Sequence, residues 1–273
     1  MAMSRRFLAA AVQFGAGSDK NSNFAFVERL TRLAADRGAE LIILPEVFFW
    51  RGARQEEVTC AETVPGPTTD RLAQVARTTG TYIVGGSILE QVPGEQRVFN
   101  TSVVFSPDGE MLGRYRKAHL FDVDIAGHLS IRESDTRMAG HEPVVVTTPL
   151  AKIGLSICYD LRFPELYRRL AELGAEMVCV PSAFTYATGA MHWEILLRAR
   201  AIENQVYVVA ANQIGVGPAG FADFGHSLIV DPWGTPIGRA TNGETIVVGE
   251  IDLDYLAQVR RELPCLGHRV FHT

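Results

Sequence analysis

The sequence has no long hydrophobic run and few cysteines. Its longest apolar stretches, such as residues 7–12 and 41–44, fall far short of the roughly 20 residues that a membrane helix needs. The basic start of the chain is followed by only a short apolar segment, which argues against a secretory signal. The four cysteines lie far apart and form no C-x-x-C pair, so we expect reduced thiols in a cytoplasmic protein.

Basic charge is also sparse. The chain carries 31 acidic and 26 basic residues, a net charge of −5, and no basic run longer than two residues. Proteins that bind nucleic acids or anionic membranes normally show a clustered positive footprint. We therefore expect neither of these partners, and a small molecule is the expected binding partner.

Motifs for metals, nucleotides and serine nucleophiles are missing as well. The sequence contains no P-loop, no G-x-G-x-x-G fingerprint and no G-x-S-x-G elbow. Metal-ligating spacing is absent at His119, His128, His192 and His226. These absences predict a protein without a metal or organic cofactor. A Cys/His dyad that uses His192 or His226 stays open.

Apolar periodicity predicts an α/β fold. Residues 7–14, 21–37 and 39–45 follow a strand, helix, strand pattern, and Gly38 ends the helix. The pattern returns at residues 151–158, 164–173 and 176–180, and segments 38–45 and 174–181 resemble each other. Two halves of similar build are therefore expected in one domain that spans residues 1–273.

The remaining segments indicate antiparallel strands and two more helices. We predict one helix at 190–204, with Ile195, Leu196, Ala199 and Ile202 on its buried face, and another at 253–261. Because strands dominate and helices flank them, two mixed sheets stacked between outer helix layers are expected. The additional strands are predicted at 81–89, 98–105, 110–116, 206–211, 224–230 and 246–251.

Cys158 is the candidate nucleophile. It lies where an apolar strand gives way to a helix that begins at Pro164. Free backbone amides and the positive end of a helix would favour its thiolate form. A lone cysteine is often only a small buried apolar residue, so that reading stays open on placement alone.

Three further side chains could assist a thiol. Glu46 ends an apolar strand and precedes Val47, so contact with apolar surface would raise its pKa toward the range of a general base. Lys117 follows a basic strand end, and Glu133 lies in a polar loop. Taken in isolation, each of the three is better explained as a solvated surface charge.

Three motifs that hold these residues resemble the nitrilase superfamily of carbon-nitrogen hydrolases. They are Leu-Pro-Glu at 44–46, Arg-Lys-Ala-His-Leu-Phe-Asp at 116–122 and Ile-Cys-Tyr-Asp-Leu-Arg-Phe-Pro-Glu at 157–165. The resemblance implies a four-layer αββα sandwich, a homodimer or higher homo-oligomer, and a Glu46, Lys117, Cys158 triad. It also implies that Glu133 is a second functional glutamate.

Within that superfamily the chain resembles the branch of ω-amidase and deaminated-glutathione amidase. This implies hydrolysis of an amide in a small acid-bearing substrate, through a thioester on Cys158. A distant acid calls for a permanently charged planar partner, and Arg162, near Cys158, is our candidate. Phe184, Thr188 and Tyr159 are expected around the substrate. An ion pair of Arg162 with Glu165 is the alternative.

Two other functions remain open at this point. A nitrilase or N-carbamoyl amino-acid hydrolase would use the same three side chains on a different bond. An inactive binding module could keep the scaffold without turnover, although such a module has no physical need for all three charged and nucleophilic groups.

Overall fold

The computed structural model describes residues 5–126, 129–217 and 220–271, and His128 lies outside these ranges. Within them, no helix is both apolar enough and long enough to cross a membrane. The helices are α1 (Lys20–Asp36), α2 (Glu57–Cys60), α3 (Pro67–Thr79), α4 (Pro164–Glu172), α5 (Tyr186–Asn204) and α6 (Leu253–Glu262), and short 3₁₀ turns lie at Arg54–Glu56, Glu133–Asp135 and Cys158–Arg162. The strands are β1 (Arg6–Gln13), β2 (Ala39–Ile43), β3 (Tyr82–Val84), β4 (Ile88–Glu90), β5 (Val98–Phe105), β6 (Met111–Arg116), β7 (Asp122–Ile125), β8 (Leu129–Arg132), β9 (Arg137–Met138), β10 (Val145–Thr147), β11 (Lys152–Leu155), β12 (Met177–Cys179), β13 (Tyr207–Ala210), β14 (Ile214–Val216), β15 (Ala222–Phe224), β16 (Leu228–Val230), β17 (Pro236–Arg239) and β18 (Thr245–Asp252).

Two mixed sheets form the centre of the molecule. The first has the order β18-β1-β2-β3-β5-β4, with β6 and β9 also paired to β5, and the second has the order β10-β11-β12-β13-β16-β17. Strands β1, β2 and β3 are parallel, as are β11, β12 and β13. Parallel neighbours need crossover connections, which α1 and α3 supply in one sheet and α4 and α5 in the other.

The two sheets pack face to face, and helices cover their outer faces. Along β1 the side chains alternate, so that Ala9 and Ala11 join the core between the sheets. Ala10 and Val12 join the core beneath α1 and α3. Helices α4 and α5 cover the second sheet. This arrangement confirms the predicted four-layer αββα sandwich.

The internal similarity occupies equivalent places in the two sheets. Gly38 and Gly174 both adopt a positive φ, at 85° and 91°, and lead from a helix into a central parallel strand. Strands β2 and β12 then end just before Pro45 and Pro181. Both halves therefore deliver their next residues to the same end of the sandwich.

Two predicted strands are each broken in two. The first, at 81–89, is interrupted at Gly85 and Gly86. A Cβ at Gly86 would lie 2.0 Å from the carbonyl oxygen of Pro45, so only glycine allows this close approach. The second, at 224–230, separates into β15 and β16 around His226, whose φ is 52°.

One helix was missed, and the packed face of another was predicted wrongly. Helix α3 was not predicted, because its many threonines obscure the apolar face formed by Leu72 and Ala76. For α5 the predicted buried face is incorrect, since Ile195 and Ile202 are 67% and 48% exposed. The helix instead buries Trp193, Leu197 and Ala201. The helix has apolar residues on its exposed side as well as on its buried side, so their periodicity could not identify the packed face.

Candidate active site

Glu46, Lys117, Glu133 and Cys158 line one cavity of about 440 Å³. Glu46 follows β2 and Lys117 follows β6, while Glu133 and Cys158 each begin a 3₁₀ turn. The structure therefore brings together four side chains that span more than a hundred residues of sequence. The cavity lies at the end of the sandwich where the parallel strands finish.

Glu46 is buried and held by three hydrogen-bond donors. Its Oε1 accepts from Asn100 Nδ2 at 2.8 Å and from Lys117 Nζ at 3.0 Å. Its Oε2 accepts from the amide of Ala183 at 2.8 Å. The sequence predicted apolar surroundings, but the carboxylate instead contacts these three donors. Asn100 was missed, although a polar residue inside the apolar strand β5 was a usable signal.

The backbone around Glu46 is fixed on both sides. Gln213 Nε2 donates to the Glu46 carbonyl at 2.8 Å, and the amide of Val47 donates to Ser87 Oγ at 2.9 Å. Val47 adopts a φ of 49°, which is rare for a β-branched residue. This strain is held by the surrounding contacts, including the close packing of Gly86, and it fixes the direction of the Glu46 side chain.

Lys117 lies between two carboxylates. Its ammonium nitrogen is 3.0 Å from Glu46 Oε1 and 3.0 Å from Glu133 Oε2. Burial lowers the pKa of Lys117, but the charges of Glu133 and Glu46 outweigh it and raise that pKa above its ordinary value. The amine is therefore a permanent cation at physiological pH.

Glu133 has its own set of partners. Its Oε2 also accepts from the amide of Phe121 at 2.9 Å, and its Oε1 accepts from Arg137 Nη1 at 2.6 Å. Burial raises the pKa of Glu133, yet the charges of Lys117 and Arg137 lower it to about 2. Arg137 is bound in turn by Glu57. No motif or spacing in the sequence indicated a role for Arg137 or Glu57.

Cys158 occupies a strained turn. Its φ is 47°, and its amide donates to the carbonyl of Pro181 at 2.9 Å. Burial and the nearby Glu46 carboxylate raise the pKa of the thiol well above its usual value, and Lys117 only partly opposes them. The expected thiolate is therefore wrong for the resting site, because burial and Glu46 outweigh the free amides. A neutral thiol needs a base, and Glu46 is placed to be one.

Asp160 joins the Lys117 and Cys158 segments. This fully buried carboxylate accepts from the amide of Ile157 at 2.9 Å, the amide of His119 at 3.0 Å and the hydroxyl of Tyr115 at 2.7 Å. His119 Nδ1 also lies close to this carboxylate, 2.7 Å from Asp160 Oδ1. Each flanking donor lies within two residues of a candidate catalytic side chain, so Asp160 sets their relative position. The sequence motif contained Asp160 but suggested no role for it.

The four predicted substrate-binding residues surround a narrow cleft beside Cys158. Tyr159, Arg162, Phe184 and Thr188 all line it. The Arg162 guanidinium lies 5.0 Å from the centre of the Phe184 ring, and its Nη1 is 3.2 Å from His192 Nδ1.

The described part of the structure shows no contacts for the alternative roles of Arg162, His192 and His226. Within the described ranges, Arg162 forms no ion pair with Glu165 or another carboxylate, and its polar side-chain contact is with His192 Nδ1 at 3.2 Å. Neither His192 nor His226 lines the two cavities around Cys158. The geometry therefore gives no support to a Cys/His dyad.

The sequence matches the model of the carbon-nitrogen hydrolase family over residues 8–261. This chain belongs to that family. It is 41% identical to the omega-amidase NIT2 of Xenopus tropicalis, over 97% of this chain and 95% of the relative. It is 42% identical to the deaminated glutathione amidase of Bos taurus, over 96% of this chain and 81% of the relative.

A solved structure also resembles this fold. It is a glutamate-to-glutamine mutant of an amidase from Nesterenkonia sp. AN1, in which acrylamide has added to the active-site cysteine. The TM-score is 0.79 and the sequence identity 27%, with 95% of this chain and 98% of that chain covered.

We predict that Asp160→Asn destabilises the fold by about 3 kcal/mol, because an amide cannot accept from all of its buried donors. Chemical denaturation measures this loss. Asp231→Asn is the matched control, since Asp231 accepts from two backbone amides, each at 2.8 Å, in an exposed turn. We expect the control to lose less than about 1 kcal/mol. Equal losses would contradict a special role of Asp160.

Proposed function

We propose that this protein is a cysteine amidase that hydrolyses a carboxamide in a small acid-bearing substrate. The products are a carboxylate and ammonia or an amine. The observation that carries the proposal is the meeting of Cys158, Glu46 and Lys117 in one cavity, with Lys117 bound to Glu46. Family membership and the names of the two relatives agree with it.

In the first step, Glu46 removes the thiol proton as the sulfur of Cys158 attacks the amide carbon. A carbon–sulfur bond forms, and negative charge develops on the carbonyl oxygen. Lys117 and the amide of Tyr159 stabilise that oxyanion, and one such donor is commonly worth about 3 kcal/mol. The Tyr159 amide donates to no other group in the described part of the chain.

Collapse of this intermediate breaks the carbon–nitrogen bond. Glu46 delivers its proton to the departing nitrogen, which leaves as ammonia or an amine, and a thioester remains on Cys158. Glu46 then takes a proton from water as the water attacks the thioester. The carbon–sulfur bond breaks, and Glu46 returns the proton to the sulfur. Glu133 orients Lys117 throughout, and Glu46 carries the proton in each of these transfers.

The cleft beside Cys158 is the proposed place for the acid of the substrate. Arg162 supplies the charge and lies beside Tyr159, Phe184 and Thr188, and the cleft of about 10 Å³ between them must widen to admit a substrate acid. An arginine without a carboxylate partner can bind a carboxylate through two parallel hydrogen bonds. This arrangement supports acid-bearing amides over neutral ones.

The decisive experiment measures ammonia release from α-ketoglutaramate, α-ketosuccinamate, a nitrile and an N-carbamoyl amino acid. For deaminated glutathione, whose leaving group is an amine, it measures release of the peptide product instead. We expect turnover of the amides, with a loss of at least about 10⁴-fold in Cys158→Ala and Glu46→Gln. Cys265→Ser, which changes a cysteine outside the cavity, should keep full activity.

Each other outcome has a definite meaning. Turnover of the nitrile or the carbamoyl compound alone would replace the proposal with one of those functions. Folded wild-type protein that cleaves none of the compounds would favour a binding module. Activity that survives in Cys158→Ala would exclude the proposed mechanism.

We predict that Arg162→Ala raises KM for acid-bearing amides by about 10- to 100-fold, which corresponds to one charge-assisted contact. A neutral aliphatic amide such as butyramide should be nearly unaffected. Arg162→Lys keeps the charge but not the planar fork, so an intermediate KM is expected. Steady-state kinetics on both substrate types check this, and equal losses on both would refute the binding role.

We further propose a cytoplasmic homodimer or higher homo-oligomer. The four cysteines are free thiols, which agrees with a reducing compartment. Met191, Ile195 and Ile202 form an exposed apolar stripe on α5, and Trp233 is 57% exposed nearby. Such a stripe is typical of a subunit interface.

Sedimentation analysis tests the oligomer. We expect Ile195→Glu to dissociate it, because the substitution buries an unpaired charge in the interface. Leu173→Glu changes an exposed leucine elsewhere and is expected to leave the oligomer intact. A wild-type chain that is monomeric at micromolar concentration would end this part of the proposal.

A further inference from the structure

Five buried side chains of alternating charge form a continuous chain that ends at Glu46. Glu57 Oε1 lies 2.7 Å from Arg137 Nη2, and Arg137 Nη1 lies 2.6 Å from Glu133 Oε1. Lys117 then connects Glu133 to Glu46, at 3.0 Å on each side. Every member is less than a tenth exposed.

Glu57 holds Arg137 in one orientation. It accepts from Arg137 Nε at 3.1 Å and from Nη2 at 2.7 Å, and Thr136 Oγ1 donates to the same carboxylate at 2.7 Å. A bidentate contact of this kind fixes the plane of the guanidinium. A buried ion pair often adds little net stability, because desolvation offsets the attraction. Stability alone therefore does not account for placing this pair beside the site.

Arg137 gives the two carboxylate oxygens of Glu133 different hydrogen-bond partners. Oε1 is occupied by Arg137, so only Oε2 is left for Lys117 and the amide of Phe121. An ammonium group has three N–H donors. Glu133 and Glu46 take one each, and the third remains for the oxyanion of the substrate.

Arg137 also balances charge. Glu46 and Glu133 would otherwise compete for the single ammonium of Lys117. With Arg137 present, Glu133 is partly neutralised from its far side, and Lys117 stays shared between the two carboxylates. If Arg137 is removed, Lys117 is drawn toward Glu133 and away from the sulfur of Cys158.

We propose that Arg137 and Glu57 are positioning residues, which act through Glu133 to hold Lys117 with one N–H free for the oxyanion. The role rests on the proposed amidase function, and it concerns two residues that line the cavity but reach Lys117 only through Glu133. It predicts a loss of kcat rather than of substrate binding.

The variants are Arg137→Met, Arg137→Lys and Glu57→Gln. Glu90→Gln is the matched control, because Glu90 is equally buried and binds Arg116 through two contacts, at 2.8 and 2.7 Å. Thr101 Oγ1 donates to Glu90 at 2.6 Å, as Thr136 does to Glu57. Glu90 lies outside the cavity that holds Cys158.

We expect kcat to fall about 10- to 100-fold in Arg137→Met and Glu57→Gln, with KM within about threefold of the wild type. Arg137→Lys keeps the charge and should recover part of the loss. Glu90→Gln should lower Tm by a similar amount but leave kcat nearly unchanged. Activities are compared per folded molecule, so stability is separated from positioning.

The pH dependence gives a second readout. Glu133 faces Lys117 and Arg137 directly, with Glu46, Glu57 and Asp122 beyond them. The charges of Lys117 and Arg137 hold the pKa of Glu133 well below its usual range, and the loss of Arg137 raises that pKa. Activity of Arg137→Met should therefore fall at a higher pH on the acid side than wild-type activity.

Alkylation of Cys158 by acrylamide, followed by mass spectrometry against pH, needs no amide substrate. Arg137→Met makes the cluster more negative, so alkylation should require higher pH than in the wild type. Glu57→Gln makes it more positive and should shift alkylation to lower pH. Residues without electrostatic influence on Cys158 would produce neither shift.

Two results would overturn the proposal. One is a kcat in Glu57→Gln and Arg137→Met that matches that of Glu90→Gln. The other is an unchanged alkylation profile in both variants. If Arg137→Met does not fold, the near-isosteric Glu57→Gln still decides the question. Absence of amide turnover in the wild type would instead remove the amidase function, and the alkylation profile would still test the positioning.

Discussion

The ammonium of Lys117, shared between Glu46 and Glu133, is the interaction on which the rest of the site depends. A buried cation survives only where carboxylates replace the lost water, and each carboxylate in turn needs the cation. Glu46 must nevertheless stay able to take a proton. Extra donors from Asn100 and the Ala183 amide hold it in place. Burial and the charge of Glu46 raise the pKa of Cys158 and keep its thiol neutral until a proton transfer occurs, although Lys117 opposes them.

The sandwich supplies this site because both sheets end at the same place. Strands β2 and β12 are equivalent, and each is followed by a proline and then by a residue of the site. Glu46 follows Pro45, and Ala183, which follows Pro181 and Ser182, donates to Glu46 across the interface between the sheets. The fold thus links the two halves of the molecule through the carboxylate that we propose as the base.

Much of the fold and the central residues could be predicted from sequence, for identifiable reasons. Strand, helix, strand patterns gave the parallel parts, and three motifs gave Glu46, Lys117 and Cys158. Helix α3 was not predicted because threonines weaken its apolar pattern. The packed face of α5 was not identified because apolar residues lie on both its exposed and its buried sides. Arg137 and Glu57 could not be found, because their pairing depends on segments that are distant in sequence. The protonation state of Cys158 depends on burial and on Glu46, which no local pattern reveals.

The raised pKa of the Cys158 thiol has a consequence for chemical durability. Peroxide oxidises cysteines in proportion to their thiolate character and access. A nucleophile stored as a neutral, buried thiol is therefore a poor target between catalytic cycles. The enzyme's sulfur should outlast the exposed low-pKa cysteines of redox sensors under oxidative stress, without needing a second cysteine to rescue it.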